Sequence, residues 1–378
     1  MNSYCQRCIM DNTADGFTVS SGTACNYCEE VDLKKNSSKL YYNENDRQKL
    51  LEKIKQDGVG KQYDCVIGIS GGADSSWTLH LAKESGLRPL AVHMDNGWNS
   101  ELAQNNINNL IDKLNVDFYS HVINWAEYRS LMQSFFDADV IDVELLYDNA
   151  MLAVNYNLAK KYKTKYIVSG SNNATEGMRM PENWNWYKYD KKNILSIDRQ
   201  FQKTKIRTFP FYSTRNFLVD NYLRKIKWIP FLDYFNYEKQ VAMDNLSELY
   251  NYKQYPYKHY ESVFTRFYQG YILPKKFGVD KRKLHLSTLI VNGQMSRREA
   301  SRLMEKSAYP SEGELELDIN YFLKKMQWSN SDLKEYIARP GRKHSEFGTE
   351  TENLKKFVAL VKTLVPRGVI NKIRGNST

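Results

Sequence analysis

The stretch DCVIGISGGADSS, residues 64–76, joins a short apolar run to a loop of glycines and hydroxyl-bearing residues. Short runs of Val and Ile are typical of strands buried in a parallel sheet. The two glycines let backbone amides approach a phosphate closely, and the start of a following helix adds donors and a positive dipole. The loop therefore predicts a pyrophosphate site. It lacks the lysine of a Walker loop and the spacing of a dinucleotide fingerprint, which disfavours γ-phosphate transfer and hydride chemistry.

Strand-like and helix-like segments alternate on both sides of this loop. Alternation of this kind predicts a doubly wound α/β domain with a parallel sheet, whose ligands lie outside the carboxyl ends of the strands. The sequence beyond about residue 231 is mostly helical in pattern. We therefore predict a four-cysteine region at 1–40, the α/β domain at 41–230 and a helical region at 231–378. The predicted strands are 64–70, 89–95, 118–124 and 165–170, and the predicted helices are 75–85, 100–114, 125–136 and 145–162.

Four of the five cysteines lie near the N-terminus in the pattern C-x2-C-x16-C-x2-C, formed by Cys5, Cys8, Cys25 and Cys28. Two such knuckles match the spacing of a tetrahedral zinc site, and four thiolates would leave no open position, so the ion would be structural. Two alternatives are a disulfide pair, disfavoured in a reducing compartment, and an iron–sulfur cluster. The region has too few apolar residues for a core of its own, and we predict that it folds around a metal.

Composition excludes several classes of protein. The chain has 378 residues, of which 42% are hydrophobic and 26% charged, which excludes wholesale disorder and a fibrous rod. No apolar run approaches the ~18–20 residues of a membrane span, and no secretory signal is visible, so we expect no membrane insertion and a cytoplasmic location. The net charge is 54 − 44 = +10, and residues 188–230 contribute 11 basic against 3 acidic residues. This basic stretch indicates either nucleic acid or a phosphate-rich small substrate, of which we consider nucleic acid unlikely.

Two levels of resemblance are visible in these motifs. SGGADSS at the end of a buried strand resembles the PP-loop of the ATP pyrophosphatases, whose domains are adenine nucleotide alpha hydrolase-like. CQRCIMDNT, MDNGWNSELAQNNINNL, VSGSNNATEG and DKRKLHLSTLIVNGQMSRREA, taken in order with the loop, are similar to the N-acetyl sugar amidotransferases of bacterial surface-polysaccharide biosynthesis. That resemblance spans roughly residues 5–305.

The resemblance implies an activity and its reagents. The acetamido carbonyl of a nucleotide-linked N-acetyl sugar would be adenylated by ATP with Mg²⁺, and ammonia would displace AMP to form an amidine. Cys65 lies inside the first predicted strand and the other cysteines are assigned to metal, so no glutaminase nucleophile is evident and we expect a separate glutaminase partner. The main alternative is a PP-loop enzyme that modifies tRNA by sulfur or amine transfer.

The candidate site residues follow the ends of the predicted strands or carry charge near them. For several of them a structural role is as plausible as a functional one, among them Asp148 as a surface charge and Glu176 as a helix cap. The candidates for ATP and its pyrophosphate are Ser70, Gly71, Gly72, Asp74, Ser75, Ser76, Met94, Asp95, Gly170, Ser171 and Asn172. The catalytic candidates are Asp74, Glu176, Lys281 and Arg282, and the candidates for the acceptor are Asn96, Gly97, Trp98, Asp148 and Thr175.

Overall fold

Five parallel strands form one sheet in the computed structural model, which describes residues 4–19, 23–36, 42–255 and 260–351. The order of the strands across the sheet is β3-β2-β1-β4-β5, and every neighbouring pair is parallel. β2 and β3 lie on one side of β1, whereas β4 and β5 lie on the other side. The strand order therefore reverses between β1 and β4. Ligands of such sheets bind at this switch point. The strands are β1 (Cys65–Gly68), β2 (Pro89–Asp95), β3 (Asp117–Val122), β4 (Tyr166–Ser169) and β5 (Lys227–Pro230).

The predicted α/β class is confirmed, and the first four strands lie where the sequence places them. The fifth strand was not predicted. β5 is only four residues long, its first residue is exposed, and it lies within the basic stretch, so it carries no apolar run. It pairs with β4 from Tyr166 to Ser169 and completes that edge of the sheet.

Helices cover both faces of the sheet and make up most of the region after β5, as predicted. Two short π-helical segments, Val219–Leu223 and Tyr268–Phe277, and two 3-10 turns, Phe231–Tyr234 and His344–Glu346, interrupt the series. The α-helices are α1 (Asn26–Asn36), α2 (Glu44–Asp57), α3 (Ala73–Glu84), α4 (Glu101–Leu114), α5 (Trp125–Asp137), α6 (Leu145–Lys161), α7 (Asn173–Glu176), α8 (Lys191–Phe201), α9 (Thr214–Leu218), α10 (Lys239–Tyr250), α11 (Val263–Phe267), α12 (Arg282–Val291), α13 (Arg297–Glu305), α14 (Glu312–Met326) and α15 (Asn330–Ala338). In the described part of the chain, none of these helices combines the length and the apolar character needed to cross a bilayer.

The cysteine region shares a core with the rest of the chain. Its buried residues, such as Met10 and Val31, pack in one cluster with Trp184, Leu284 and Val291. Backbone and side-chain hydrogen bonds add to this packing, for example from Ile9 N to Ser287 Oγ at 3.2 Å. The region is therefore docked against the C-terminal helices and does not depend on its own few apolar residues. The predicted domain limits at residues 40 and 230 stay predictions, and the first falls outside the described residues.

Candidate active site

The glycine loop lies between β1 and α3 at the carboxyl edge of the sheet. Gly71 has φ +83°, a left-handed conformation that favours glycine. The Ser70 backbone N–H donates to Ser75 Oγ at 3.2 Å, and Ser75 Oγ donates to Gly72 O at 3.1 Å, so hydroxyls brace the loop from inside. α3 begins after Gly72, and no side chain caps its N-terminus. The first amides of this helix are therefore directed to the space above the sheet, the geometry that binds anions.

A cavity of about 490 Å³, here called the loop cavity, lies against this loop. Seven of the predicted ATP residues line it, and Val92, Val168 and Met243 supply apolar walls. Tyr237, which follows β5 by seven residues, donates its hydroxyl to Asp74 Oδ1, and Tyr255 donates to the Gly71 carbonyl at 2.9 Å. The predicted residues along its wall are Ser70, Gly72, Asp74, Ser75, Met94, Gly170 and Ser171.

Four predicted ATP residues occupy other places. Gly71 lies against Ala103 of α4. Ser76 is buried, and its hydroxyl has no hydrogen-bond partner among the described residues. Asp95 accepts hydrogen bonds from the Gly97 amide and from Asn99, and so closes a turn. Asn172 caps α7 by accepting from the Thr175 N–H at 2.8 Å. These four residues shape the loop cavity and do not line it.

A second cavity of about 990 Å³, here called the large cavity, adjoins the first. Six of the nine predicted acceptor and catalytic residues line it: Asn96, Asp148, Thr175, Glu176, Lys281 and Arg282. Its further walls come from α1, from the segment after α7 and from helices α11 to α13. Most of the predicted acceptor and catalytic residues are therefore brought to one cavity, with Asp74 in the adjoining loop cavity, while their individual roles stay predictions.

Lys188 forms the centre of an ion-pair group at one wall of the large cavity. Its Nζ lies 2.8 Å from Asp142 Oδ2 and 2.8 Å from Asp148 Oδ2. Burial acts to lower the pKa of Lys188, but the two carboxylates outweigh it and raise that pKa. Asp148 keeps 35% of its side chain accessible inside the cavity, and burial there raises its pKa. Lys188, the first residue of the basic stretch, is thus a partly buried residue of the cavity wall that is paired with two carboxylates.

Lys281 and Arg282 line the large cavity, and each forms an ion pair with a carboxylate. Lys281 Nζ lies 2.8 Å from Glu144 Oε2, and Arg282 Nη2 lies 2.7 Å from Asp280 Oδ2. Arg282 also donates to the Lys306 carbonyl at 2.9 Å, which ties the start of α12 to the end of α13. Pairing of this kind orients both cations and lowers the net charge that they offer to a phosphate.

The structure corrects the assignment of Trp98 to the acceptor site, because its side chain is buried. Gly97 lies outside the linings of the loop cavity and the large cavity, and its assignment stays a prediction. The Trp98 side chain is fully buried, and its ring centroid lies 5.5 Å from that of Trp125 and 5.3 Å from that of Phe264. Gly97 has φ +78° and supports the turn after β2. Trp98 is therefore a core residue next to the site.

Replacing Trp98 with phenylalanine should lower stability without changing substrate recognition. The Trp98 Nε1 atom has no hydrogen-bond partner among the described residues, so the variant loses packing alone. We expect a decrease in the free energy of unfolding of about 1–2 kcal/mol, measured by denaturant unfolding. An equal KM for the acceptor in Trp98→Phe and wild type would support the core assignment, and a large rise in KM would contradict it.

The two cavities share a rim formed by Ser70, Tyr147, Glu176, Lys239 and Glu261. Among the described residues, Lys239 is the one basic residue that borders both cavities. No described carboxylate forms an ion pair with it, whereas Lys188, Lys281 and Arg282 are each paired. Lys239 is the first residue of α10, and no side chain caps that helix. Sequence reasoning missed Lys239 because it lies far along the chain from every motif.

Asp233 holds the start of α7, the helix that carries Thr175 and Glu176. It accepts from the Asn173 backbone N–H at 2.7 Å and from Asn173 Nδ2 at 2.5 Å. Burial raises the pKa of Asp233 to about 6, and the nearby Glu176 adds to this increase. The carboxyl of Asp233 is therefore easier to protonate in the folded chain than in the unfolded chain.

Replacing Asp233 with asparagine should remove a pH dependence of stability. Because the folded pKa is raised from 3.8 to about 6, the stabilisation from this group is fully present below the unfolded pKa and is lost as pH rises through about 6. We expect Asp233→Asn to gain about 1–3 kcal/mol relative to wild type between about pH 4 and about pH 7. Denaturant unfolding across this range is the measurement, and a constant difference between the two proteins would refute the prediction.

The four N-terminal cysteines form one buried cluster. Their sulfurs all lie within 4.8 Å of one another, with separations of 3.9 Å for Cys5 to Cys28 and 3.8 Å for Cys8 to Cys25. A tetrahedron with metal–sulfur bonds of about 2.3 Å has edges of about 3.8 Å, so the four thiols fit a single ion. The backbone amides of Cys8 and Met10 donate to Cys5 Sγ and Cys8 Sγ, each at 3.4 Å, which would stabilise thiolate charge.

Comparison with known proteins gives two family matches on different parts of the chain. Residues 43–179 match the family described as NAD synthase, and residues 261–362 match the family described as LPS biosynthesis protein WbpG-like, C-terminal domain. The fold, the loop and the first match define a PP-loop domain of the ATP-using class. The second match adds a segment similar to the WbpG-like C-terminal domain, so one chain combines a PP-loop domain with a region of that kind.

Similarity to individual proteins is more limited. The chain is 46% identical over 46 residues to tRNA(Ile)-lysidine synthase from Chlamydia pneumoniae, covering 12% of the chain and 14% of that protein. It is 28% identical over 152 residues to a probable tRNA sulfurtransferase from Methanobrevibacter smithii, covering 37% of the chain and 39% of that protein. The chain thus spans well under half the length of these relatives. A solved tRNA thiolase from Methanococcus maripaludis, with its iron–sulfur cluster, has a TM-score of 0.31 and 11% identity over 81% of this chain and 89% of its own.

Proposed function

We propose that this protein is an ATP-dependent amidotransferase that converts the acetamido group of a nucleotide-linked N-acetyl sugar into an acetamidino group, for lipopolysaccharide or O-antigen biosynthesis. The proposal rests on one observation: the loop cavity and the large cavity share a rim. The loop cavity suits ATP, and the large cavity is walled by residues 261–308 of the WbpG-like domain. An acceptor in the large cavity would meet the α-phosphate of ATP at this rim.

The reaction proceeds in two balanced steps. The carbonyl oxygen of the acetamido group attacks the α-phosphorus of ATP, and the bond to the β-phosphate breaks, which releases pyrophosphate. Ammonia then adds to the activated carbon and loses a proton, and AMP departs with the former carbonyl oxygen. Adenylation is needed because an amide oxygen is a poor leaving group, and the enzyme lowers the barrier by stabilising the charge that develops on the phosphates.

Several residues of the rim suit these steps. The first amides of α3 would hold pyrophosphate, and Lys239 would stabilise negative charge on the transferred phosphate from its place between the cavities. Glu176 borders both cavities and would accept the proton that ammonia loses. Asp74 would hold Mg²⁺, which supplies charge neutralisation on the leaving pyrophosphate.

The charges of the large cavity favour an acceptor that carries phosphate. Lys34, Arg179, Lys188, Lys239, Arg266, Lys281, Arg282 and Lys306 line it, against the carboxylates of Glu30, Glu144, Asp148, Glu176 and Glu261. The basic residues of the lining outnumber the acidic ones, although Asp142, Asp280 and Asp318 outside the lining pair with three of the cations. Lys239 has no ion pair among the described residues, and its charge would attract the negative charges of a nucleotide-linked sugar. We take the acceptor to bind through its phosphates with its acetamido group at the rim.

The cysteine cluster suits one structural zinc ion. The four thiolates of an iron–sulfur cluster are distributed over two or four irons, so they surround a larger group than a single ion, whereas the sulfurs here all lie within 4.8 Å of one another. Four thiolates leave zinc no open position, which excludes it from the chemistry. Chelation of the ion should therefore lower the free energy of unfolding. Activity should be lost only to the extent that the protein unfolds.

The nitrogen source is proposed to be ammonia from a separate glutaminase in the cytoplasm. Cys65, the one cysteine outside the cluster, is fully buried in β1, and burial raises the pKa of its thiol. A buried neutral thiol is a poor nucleophile, so Cys65 does not suit glutamine hydrolysis. The purified chain should use ammonium and should not hydrolyse glutamine efficiently.

The deciding experiment measures AMP and pyrophosphate release from Mg-ATP with ammonium, in parallel reactions with a panel of nucleotide-linked N-acetyl sugars and with bulk tRNA. Release that depends on a sugar, with a product lighter by the difference between O and NH, would support the proposal. Release that depends on tRNA alone would refute it.

A tRNA-modifying enzyme is the second candidate, because the two curated relatives are tRNA enzymes and the chain is basic. Sulfur transfer fits the structure less well, because the cysteine sulfurs are spaced for one ion and Cys65 is buried. The tRNA reaction of the same experiment tests this candidate directly.

A further inference from the structure

The cysteine region borders the large cavity through one helix. Glu30 and Lys34 of α1 line the cavity beside Thr175 and Glu176, although about 140 residues of chain separate them. α1 starts between the third and fourth cysteines and contains Cys28. The placement of this helix therefore depends directly on the cysteine cluster.

α1 contacts the 173–180 segment, which comprises α7 and the four residues that follow it. Arg179 Nε lies 3.0 Å from Glu30 Oε2, Arg179 Nη2 lies 3.2 Å from Glu30 Oε1, and its guanidinium stands 4.8 Å from the ring centroid of Tyr27. Lys34 Nζ donates to the Gly177 carbonyl at 3.3 Å. Met178 is buried in the same cluster as the four cysteines. An ion pair, a cation–π contact, a hydrogen bond and a shared buried cluster thus join α1 to the residues immediately after Glu176.

The opposite end of the 173–180 segment is held by the α/β domain and the C-terminal helices. Asp233 accepts from Asn173, and Asn292 Nδ2 donates to the carbonyls of Asn173 at 2.8 Å and Ala174 at 3.0 Å. Thr175 and Glu176 lie between these two attachments. A shift of either attachment would move both side chains relative to the rim.

We infer that the cysteine region is a positioning element of the acceptor site: through Arg179 and Lys34 it sets the 173–180 segment so that Thr175 and Glu176 face the acceptor. This inference rests on the proposed function for its kinetic readout. It assigns to the cysteine region a part in acceptor recognition and none in ATP binding, because none of its described residues, 4–19 and 23–36, lines the loop cavity. Arg179 acts here through its ion pair and is a positioning residue.

The chain contains a matched control for this ion pair. Arg7 donates to both carboxylate oxygens of Asp32, so a second two-bond pair lies within the cysteine region and does not reach the 173–180 segment. The side chains of Arg179 and Glu30 are 39% and 36% exposed, and those of Arg7 and Asp32 are 35% and 39% exposed. The variants Arg179→Met and Arg7→Met therefore each remove one two-bond ion pair of similar exposure, and Arg179→Met also removes the cation–π contact with Tyr27.

The test compares these variants as full-length, metal-loaded proteins. We expect Arg179→Met to raise KM for the nucleotide-linked sugar about fivefold and to leave the ATP dissociation constant within about twofold, while Arg7→Met changes neither. Equal effects of the two variants on KM would overturn the inference. Metal content, measured for each protein, should be unchanged.

Two further measurements separate positioning from direct contact and from failure of the proposed function. The double variant Glu30→Arg with Arg179→Glu restores an ion pair in reverse, so recovery of KM supports positioning, and no recovery means that Arg179 contacts the acceptor itself. Hydrogen exchange of residues 173–180 needs no substrate. Faster exchange there in Arg179→Met but not in Arg7→Met supports the inference even if no nucleotide sugar proves to be a substrate, and unchanged exchange contradicts it.

Discussion

Replacing Lys239 with methionine is expected to lower acceptor-dependent pyrophosphate release about 100-fold, because removal of one preorganised charge from a developing anion typically has this effect. Lys239 borders both cavities and forms no ion pair among the described residues, so its charge is available to the phosphate that passes between them. Binding of ATP should change only a few-fold, since the amides of the glycine loop remain. Steady-state kinetics together with calorimetric ATP titration measure the two effects separately.

The control for Lys239 is its replacement with arginine, which keeps the charge and alters its geometry. We expect Lys239→Arg to retain more activity than Lys239→Met, with the same affinity for ATP. If Lys239→Met loses ATP binding in proportion to its activity, Lys239 belongs to the ground-state binding of the nucleotide, and its assignment to the transfer step is wrong.

Replacing Gly71 with alanine is expected to weaken ATP binding more than tenfold, since strain at such sites is of the order of 1–3 kcal/mol and must be relieved by movement of the loop. Gly71 has φ +83°, and a Cβ atom there would lie 2.8 Å from the Ala103 carbonyl oxygen. The loop can avoid this contact only by moving away from α4. That movement would displace the amides that face the loop cavity.

Gly60 provides the control for this substitution. It also has a positive φ, +74°, but no atom lies within 4 Å of the position that its Cβ would take. Gly60→Ala should therefore show a similar conformational cost in thermal unfolding and no loss of ATP affinity by calorimetry. Unchanged ATP binding by Gly71→Ala would show that the loop is not the pyrophosphate site.

Much of the fold could be predicted because the strands β1, β2 and β4 are buried on both faces. Burial of that kind demands continuous apolar residues, and such runs are visible without any knowledge of their neighbours. β5 could not be found in this way: Lys227 and Pro230 lie at its ends, and its pairing with β4 is a long-range contact. The capacity of the four cysteines to share an ion could be predicted from spacing, whereas the docking of their region could not.

The site could be predicted only where residues follow a strand directly. Ser70, Asp74 and Gly170 belong to this group, because the carboxyl edge of a parallel sheet gathers them. Lys239 and Asp233 reach the site from segments after β5, and no local pattern distinguishes them from surface charges. Trp98 was wrongly assigned to the site for the opposite reason: it follows β2, but its side chain is buried in the core.

The docking of the cysteine region against α12 and α13 sets the order in which the chain can complete its fold. Arg297 Nε donates to the Cys8 carbonyl at 3.1 Å, across 289 residues of sequence. The region is synthesised before the helices that cover it, so its sulfurs stay accessible until those helices have been made. Contacts of such long range form late in folding. Loading of a metal ion can therefore precede the burial of the four cysteines under α12 and α13.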